Sequence, residues 1–415
     1  MSEENVNLIV QARMLIDGTG VEPVSPGLVA IAGRRIVYAG PAAGASNYPG
    51  ARVIDLPEAA LLPGLIDMHV HPTYYWAESD LAPYTQDFDP ALSYSQVDIA
   101  LLAVANLRSA LMSGVTTARD TATVDNIMFD VKRAIRKGRI LGPKVYCAGR
   151  LVTATAGHCH YLPGLSNQAD GPYDFRRAVR EEVRAGADFI KIANNGAELT
   201  QEELNAAVDE AHRLGKKVAC HTIGAPAERM AIDVGVDTFE HGTPSEEELD
   251  LALEKGILWV PTLHMWEDNL VQSERRRRHP DPLVARQAEK EYPGTVAYME
   301  RLRESMAYAV KIGLKLGTGT DSFSEDIPFD SLADEIRRLV EYGCSPMQSL
   351  QAATAWPAEA MGWDEIGTLE AGKLADLIAV AGDPLVDIQV VKNVPLVVLE
   401  GEVVKHEPTI MHPMA

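Results

Sequence analysis

The chain has 415 residues, of which 46% are hydrophobic and 23% charged, and its 38 Lys+Arg against 59 Asp+Glu give a net charge of −21. That composition excludes a disordered or fibrous chain, and the acidic balance opposes binding to nucleic-acid phosphates or anionic membranes. The first residues, Met1-Ser2-Glu3-Glu4-Asn5, lack the basic start of a signal peptide, and no apolar run reaches roughly 18 residues, so a cytoplasmic protein is expected.

In chain order, the first sixty residues read as short strands near 7–10, 28–31 and 35–38, punctuated by Asp17-Gly18 and Gly33-Arg34. The last fifty repeat that character near 377–380, 390–391 and 396–399, followed by the turn Glu400-Gly401-Glu402. Two β-rich termini of this kind are expected to pair into one domain. Between them, apolar runs near 114–117, 189–192 and 217–220 alternate with helical stretches, one of them near 201–214. Strand and helix alternating over this length predict an α/β protein built as a (β/α)8 TIM barrel, with a doubly wound sheet as the competitor. No glycine-rich phosphate loop follows any strand; residues 313–319 have neither GxGxxG nor Walker spacing. The polar stretch 265–303 carries Arg275, Arg276, Arg277 and Arg278, and reads as a solvated helix face or as a lid whose arginines meet a substrate carboxylate. Cys147, Cys159, Cys220 and Cys344 form no CxxC pair and are expected as free thiols, Cys159 and Cys220 standing beside histidines.

Several residues carry chemistry. His69 and His71 close the apolar run 61–68, and residues i and i+2 of a strand share a face, so both imidazoles can meet one ion. Lys191 lies within Phe189-Ile190-Lys191-Ile192, where desolvation disfavours an ammonium. One answer is a neutral amine that takes up carbon dioxide and bridges two cations as a carbamate; another is a snorkelling or salt-bridged lysine. His221 and His241 each end a short strand, the level at which barrel enzymes assemble their sites. Asp321 follows the small-residue run 317–320; there a carboxylate can bind metal and exchange a proton with water, or merely cap a turn. His158 and His160 lie in a Gly- and Thr-rich stretch and read as an ordinary loop pair or as imidazoles facing a substrate, without the sequence saying which of the two would serve.

Together, the segment 61–71, Lys191, Ala219-Cys220-His221-Thr222, Phe239-Glu240-His241-Gly242, Val260-Pro261-Thr262, 317–321 and 366–376 resemble the amidohydrolase superfamily, in particular its imidazolonepropionase-like and Xaa-Pro dipeptidase-like members. The resemblance implies a barrel over residues 61–364 and a small β-sandwich domain built from 1–60 and 365–415. It gives His69, His71, Lys191, His221, His241 and Asp321 the role of ligands to two divalent ions, zinc first among them, although the donors also suit cobalt, manganese or nickel. It further implies the Lys191 carbamate, Asp321 as proton shuttle, a substrate role for His158 or His160, a homo-oligomer, and a small-molecule amide as substrate. The expected reaction is cleavage of the C–N bond of an N-acyl amino acid, dipeptide or related amide by metal-activated hydroxide. The alternatives are hydrolysis of a xenobiotic aryl amide, carbamate or urea, and a metal-binding scaffold without catalysis. Among the enzymatic readings deamination of a heterocycle ranks third, since deaminases of the superfamily generally use one metal. Dipeptidase-like relatives often have a tyrosine two residues after the strand-5 histidine; here Ile223 occupies that place. Tyr74, Tyr75, Trp76, Tyr84, Phe88 and Trp266 read as plain packing or, in its stead, as the lining of an apolar pocket for an aromatic amide or carbamate.

Overall fold

A computed structural model of the chain describes residues 6–74, 95–162, 164–324 and 326–407, the side chains of 45–47 excepted. The aromatic positions Tyr75, Trp76, Tyr84 and Phe88 lie outside the described residues.

Both termini enter one seven-stranded sheet. From the N-terminal side come β1 (Leu8–Leu15), β2 (Gly27–Ala32), β3 (Arg35–Pro41) and β4 (Arg52–Pro63). After the central region, residues 65–322, have passed, β14 (Leu377–Ala381), β15 (Leu396–Leu399) and β16 (Glu402–His406) complete it in the order β16-β15-β14-β4-β1-β2-β3. β4 joins the halves, parallel to β1 and antiparallel to β14. Its outer half alternates, with Ile54 and Leu56 inward and Val53 and Asp55 exposed, whereas Ala59 to Pro63 are buried throughout. Alternation gives way where both faces are covered.

The central strands are parallel. β5 (Leu65–Val70), β6 (Val115–Asp120) and β7 (Lys144–Cys147) form one three-stranded sheet. β8 (Leu151–Thr153), β9 (Ser166–Gln168), β10 (Ile190–Asn195), β11 (Val218–Ile223), β12 (Thr238–Glu240) and β13 (Leu258–Val260) form a second, ordered β13-β12-β11-β10-β8-β9. From β10 to β13 spatial order follows chain order, without the reversal of a doubly wound sheet. Residues 316–322 run between the two sheets: Gly317 N donates to Trp259 O at 2.8 Å, Met68 N to Thr318 O at 2.9 Å, and Asp321 N to His69 O at 2.8 Å. Glycine is required here by close approach. A Cβ on Gly319 would sit 2.8 Å from that of His69 and 2.6 Å from Val260 Cγ1.

Helices cover the outer faces of these strands. Gln201–Arg213 starts at a capping box of Thr200 and Glu203, and buries Leu204, Ala207, Val208 and Ala211, one face at helical spacing. That face packs on Ile190, Ile192, Val218 and Cys220 of β10 and β11. The polar stretch 265–303 falls in two helices, Leu263–Arg276 and Pro282–Ile312. Within its arginine run, Arg277 pairs with Glu274 and Glu289 and lies 4.2 Å over the Tyr292 ring, and Arg278 pairs with Glu274. Among the described residues no helix is long and apolar enough to cross a membrane.

Candidate metal centre

Period-two alternation aims the site. Phe189 and Ala219 stand two residues before Lys191 and His221, and join Ile66, Met68, Leu258 and Val260 in one buried apolar cluster. One repeat beyond Phe189 and Ala219 the side chains turn polar, as Lys191 and His221. His69, Lys191, Glu240 and His241 are almost completely buried, and Asp321 is 7% exposed.

Four of the expected ligands converge. His69 Nε2 lies 3.2 Å from His71 Nε2 and 3.3 Å from Asp321 Oδ1; His71 Nε2 is 3.1 Å from the same oxygen, and His241 Nε2 is 3.9 Å from Asp321 Oδ2. Donor atoms of His69, His241 and Asp321 all fall within 4.8 Å of one another, a spacing an ion between them would satisfy. Lys191 and His221 line the same cavity. The His221 ring is 4.7 Å from that of His241, and Lys191 Nζ contacts Glu240 Oε2.

The outward nitrogens of His71 and His241 are hydrogen-bonded, as a metal-binding histidine requires, and that of His69 faces a carboxylate. His69 Nδ1 lies 3.0 Å from Glu240 Oε2, His71 Nδ1 3.3 Å from Ala122 O, and His241 Nδ1 2.7 Å from Thr262 Oγ1. His221 uses Nε2, 2.9 Å from Asn195 Oδ1, which leaves its Nδ1 for a ligand. His241, Thr262 and Asp321 all have left-handed backbone, at φ 60°, 52° and 54°. Such strain in non-glycine residues gathers at functional sites.

Burial, ahead of the neighbouring charges, pushes His69 and His221 well below the ordinary imidazole value and His241 down to about 3, so they stand as neutral donors. Burial followed by Arg119 depresses the Lys191 amine far below the usual lysine range. For Asp321 burial acts upward, but the hydrogen bond from His71 and the electrostatic attraction of the surrounding His241, His71 and Lys191 outweigh it and hold the carboxyl low.

The two loop histidines separate. His158 lines the cavity, stacks on His221 at 4.0 Å between centroids, and has Nδ1 3.1 Å from Asn195 Nδ2. His160 turns Nδ1 to Gly157 O at 2.9 Å and is not among the lining residues. Cys159 also lines the cavity, and all four cysteines are free.

Several polar residues of the site escape sequence reading. Glu240 and Arg119 are fully buried and paired, and Arg119 further donates to Met68 O at 2.6 Å and Thr238 Oγ1 at 3.0 Å. Asp67 accepts from His69 N and Thr320 N, each at 3.1 Å, and from Thr320 Oγ1 at 2.7 Å; burial raises its pKa to about 7. The available signal was a charge two residues from another polar strand residue: Asp67 before His69, and Glu240 after Thr238.

The cavity measures about 240 Å³. Its remaining wall is mostly apolar: Leu162, Leu165, Ile223, Met265, Trp266 and Phe323 contribute, with Tyr74 and Tyr161.

Comparison with known proteins agrees with this geometry. Residues 60–404 match the sequence profile described as the amidohydrolase family. An ochratoxinase of Aspergillus niger is 30% identical over 424 aligned positions, covering 92% of this chain and 82% of the relative. An imidazolonepropionase of Cutibacterium acnes is 26% identical, covering 95% and 93%. Among solved structures, a Xaa-Pro dipeptidase with methionine bound in its active site superposes with a TM-score of 0.84 at 30% identity, over 96% of this chain and 99% of that one. The chain therefore belongs to the amidohydrolase family and is a hydrolase acting on amide bonds.

Proposed function

We propose that this hydrolase cleaves the C–N bond of an N-acyl amino acid, dipeptide or related small amide at two divalent ions, zinc first among them. The ligands in this reading are His69, His71, His221, His241, Asp321 and Lys191 carrying carbon dioxide as a carbamate. The observation that carries it is the convergence of His69, His71, His241 and Asp321 on one buried point, with the outward nitrogens of His71 and His241 hydrogen-bonded and that of His69 lying against Glu240. Divalent ions in such a donor set polarise a carbonyl and bring the pKa of water toward neutrality.

The protein's residues supply the remainder. Asp321, a carboxylate at neutral pH, accepts a proton from the attacking water on Oδ2 and returns it to the leaving nitrogen. His158, in the cavity wall, donates a hydrogen bond to the substrate carbonyl oxygen, while His160 braces the loop through Gly157. Ile223 faces the cavity where a tyrosine would reach the carbonyl, leaving that task to His158.

The same reading closes the parallel strands of residues 61–364 into a (β/α)8 barrel, supported by the hydrogen bonds of 316–322 to both β13 and β5. Residues 1–60 and 365–415 then form the small β-sandwich domain. In support, Arg34 of the β2–β3 turn pairs with Glu400 of the β15–β16 turn, so the ends of the seven-stranded sheet curl together.

A second substrate reading, an aryl amide, carbamate or urea, is favoured by the cavity wall. Tyr74, Trp266 and Phe323 line it, and Lys191 is the one Lys or Arg among its described lining residues. Metal-replete protein assayed on N-acyl amino acids, dipeptides, anilides and carbamates separates the two. Absence of hydrolysis across the whole panel would overturn both.

A further inference from the structure

The buried pair Arg119–Glu240 lies behind the centre and touches two of its expected ligands at once. Glu240 Oε1 faces Arg119, while Oε2 lies 3.0 Å from His69 Nδ1 and in contact with Lys191 Nζ. His69 Nδ1, Lys191 Nζ and Glu240 Oε2 are buried and, among the described residues, none of the three makes a hydrogen bond, although they lie against one another. Glu240 and Arg119 are both fully buried, so water cannot substitute for either partner.

We propose that Glu240, its charge balanced by Arg119, is a positioning residue that accepts the Nδ1–H of His69 and the single N–H left on Lys191 once that lysine carries carbon dioxide. The proposal rests on the metal-hydrolase reading above and adds what holds its ligands. In forming the carbamate, the lone pair of the neutral Lys191 Nζ makes the N–C bond and one C=O pair of carbon dioxide moves onto oxygen. One of the two amine protons departs to solvent. The remaining N–H has Glu240 Oε2 against it, and accepting it turns the new carboxylate away from Glu240 and into the cavity. The same oxygen fixes the His69 tautomer, leaving Nε2 as the donor. Arg119 is needed because a lone carboxylate at this depth is costly to bury, and its remaining N–H groups are anchored on Met68 O and Thr238 Oγ1.

Glu240→Gln tests this without changing shape. A primary amide that keeps its oxygen toward Arg119 presents an NH2 to His69 and Lys191, donor against donor. Because Arg119 is then left as a lone buried charge, the double variant Arg119→Met with Glu240→Gln, which removes both charges, is measured beside it. The protein is incubated with 13C-bicarbonate and zinc; the carbamate carbon is read by NMR, metal affinity by chelator competition, and folding by thermal midpoint. In both folded variants the carbamate signal falls and metal affinity weakens about 10–100-fold. A merely structural pair would move the thermal midpoint alone. A folded variant with a full carbamate signal and wild-type metal affinity would overturn the proposal. Absence of that signal in the wild type would instead remove the Lys191 carbamate from the underlying reading, and the proposal with it.

Discussion

Thr262→Val removes one hydroxyl from the wall behind His241 and nearly nothing else. Thr262 is fully buried, and since both residues are β-branched its left-handed φ of 52° is equally strained before and after. Its single hydroxyl proton goes to Pro261 O at 2.8 Å, so toward His241 Nδ1, 2.7 Å away, the oxygen can only accept. That fixes the proton on Nδ1 and leaves the Nε2 lone pair directed at Asp321 and the cavity. In the variant the Nδ1–H is buried without an acceptor, at about 1–3 kcal/mol, or the proton moves to Nε2 and the donor is lost. Both routes weaken metal binding by about 10–100-fold, equivalent to about 1.4–2.8 kcal/mol. Chelator competition at neutral pH measures this, with the thermal midpoint of metal-free protein as the control for folding. A folded variant that binds metal as tightly as wild type would refute the tautomer argument.

Asp321→Asn keeps the shape of the centre but cannot take a proton, so kcat is expected to fall about 10²–10⁴-fold while the variant stays folded; retained turnover removes the shuttle role. Trp266→Ala opens the cavity wall where Trp266 packs on Tyr298 at 4.0 Å between centroids. The loss of about 1.5–3 kcal/mol of apolar contact should raise KM for aromatic amides roughly 10–100-fold without altering metal content, as steady-state kinetics and metal analysis would show. Away from the site, hydrogen bonds from Arg180, then Arg213 and Arg176, hold the Glu210 carboxyl down at about 2. Because the folded value lies below the unfolded one, this stabilisation is complete above the ordinary carboxylate pKa of 4.5 and fades as pH falls toward about 2. Glu210→Gln should therefore lower the thermal midpoint at neutral pH, with the difference from wild type shrinking across that acid range; a pH-independent difference contradicts the linkage.

The ligand-type residues were legible because each combines an apolar approach with a polar end. His69 ends the run 61–68, Lys191 follows Phe189-Ile190, and His221 follows Val218-Ala219-Cys220; a strand buried on both faces has few other uses for such groups. The glycines before Asp321 were legible as a tight approach, and Gly319 meets His69 and Val260 closely. Glu240 and Arg119 were not, since a charge inside a short strand reads equally well as solvent-facing until its neighbours in space are known. Only the parallel register, with His221 opposite Glu240, and the ion pair of Glu240 with Arg119 show where they lie. The His158–His160 pair was ambiguous for a similar reason: both suit a loop, and only the fold stacks His158 on His221 and turns His160 to Gly157. The seven-stranded sheet depends on β4 pairing with strands from opposite ends of the chain, a contact that local patterning does not encode.

The claim that amide hydrolysis here depends on metal is tested most directly by metal analysis of the purified protein, coupled to an amide-hydrolysis assay before and after chelation and again after restoring zinc. The account predicts two divalent ions per chain, loss of hydrolysis on their removal and recovery on their return. Full hydrolysis by metal-free protein would contradict it.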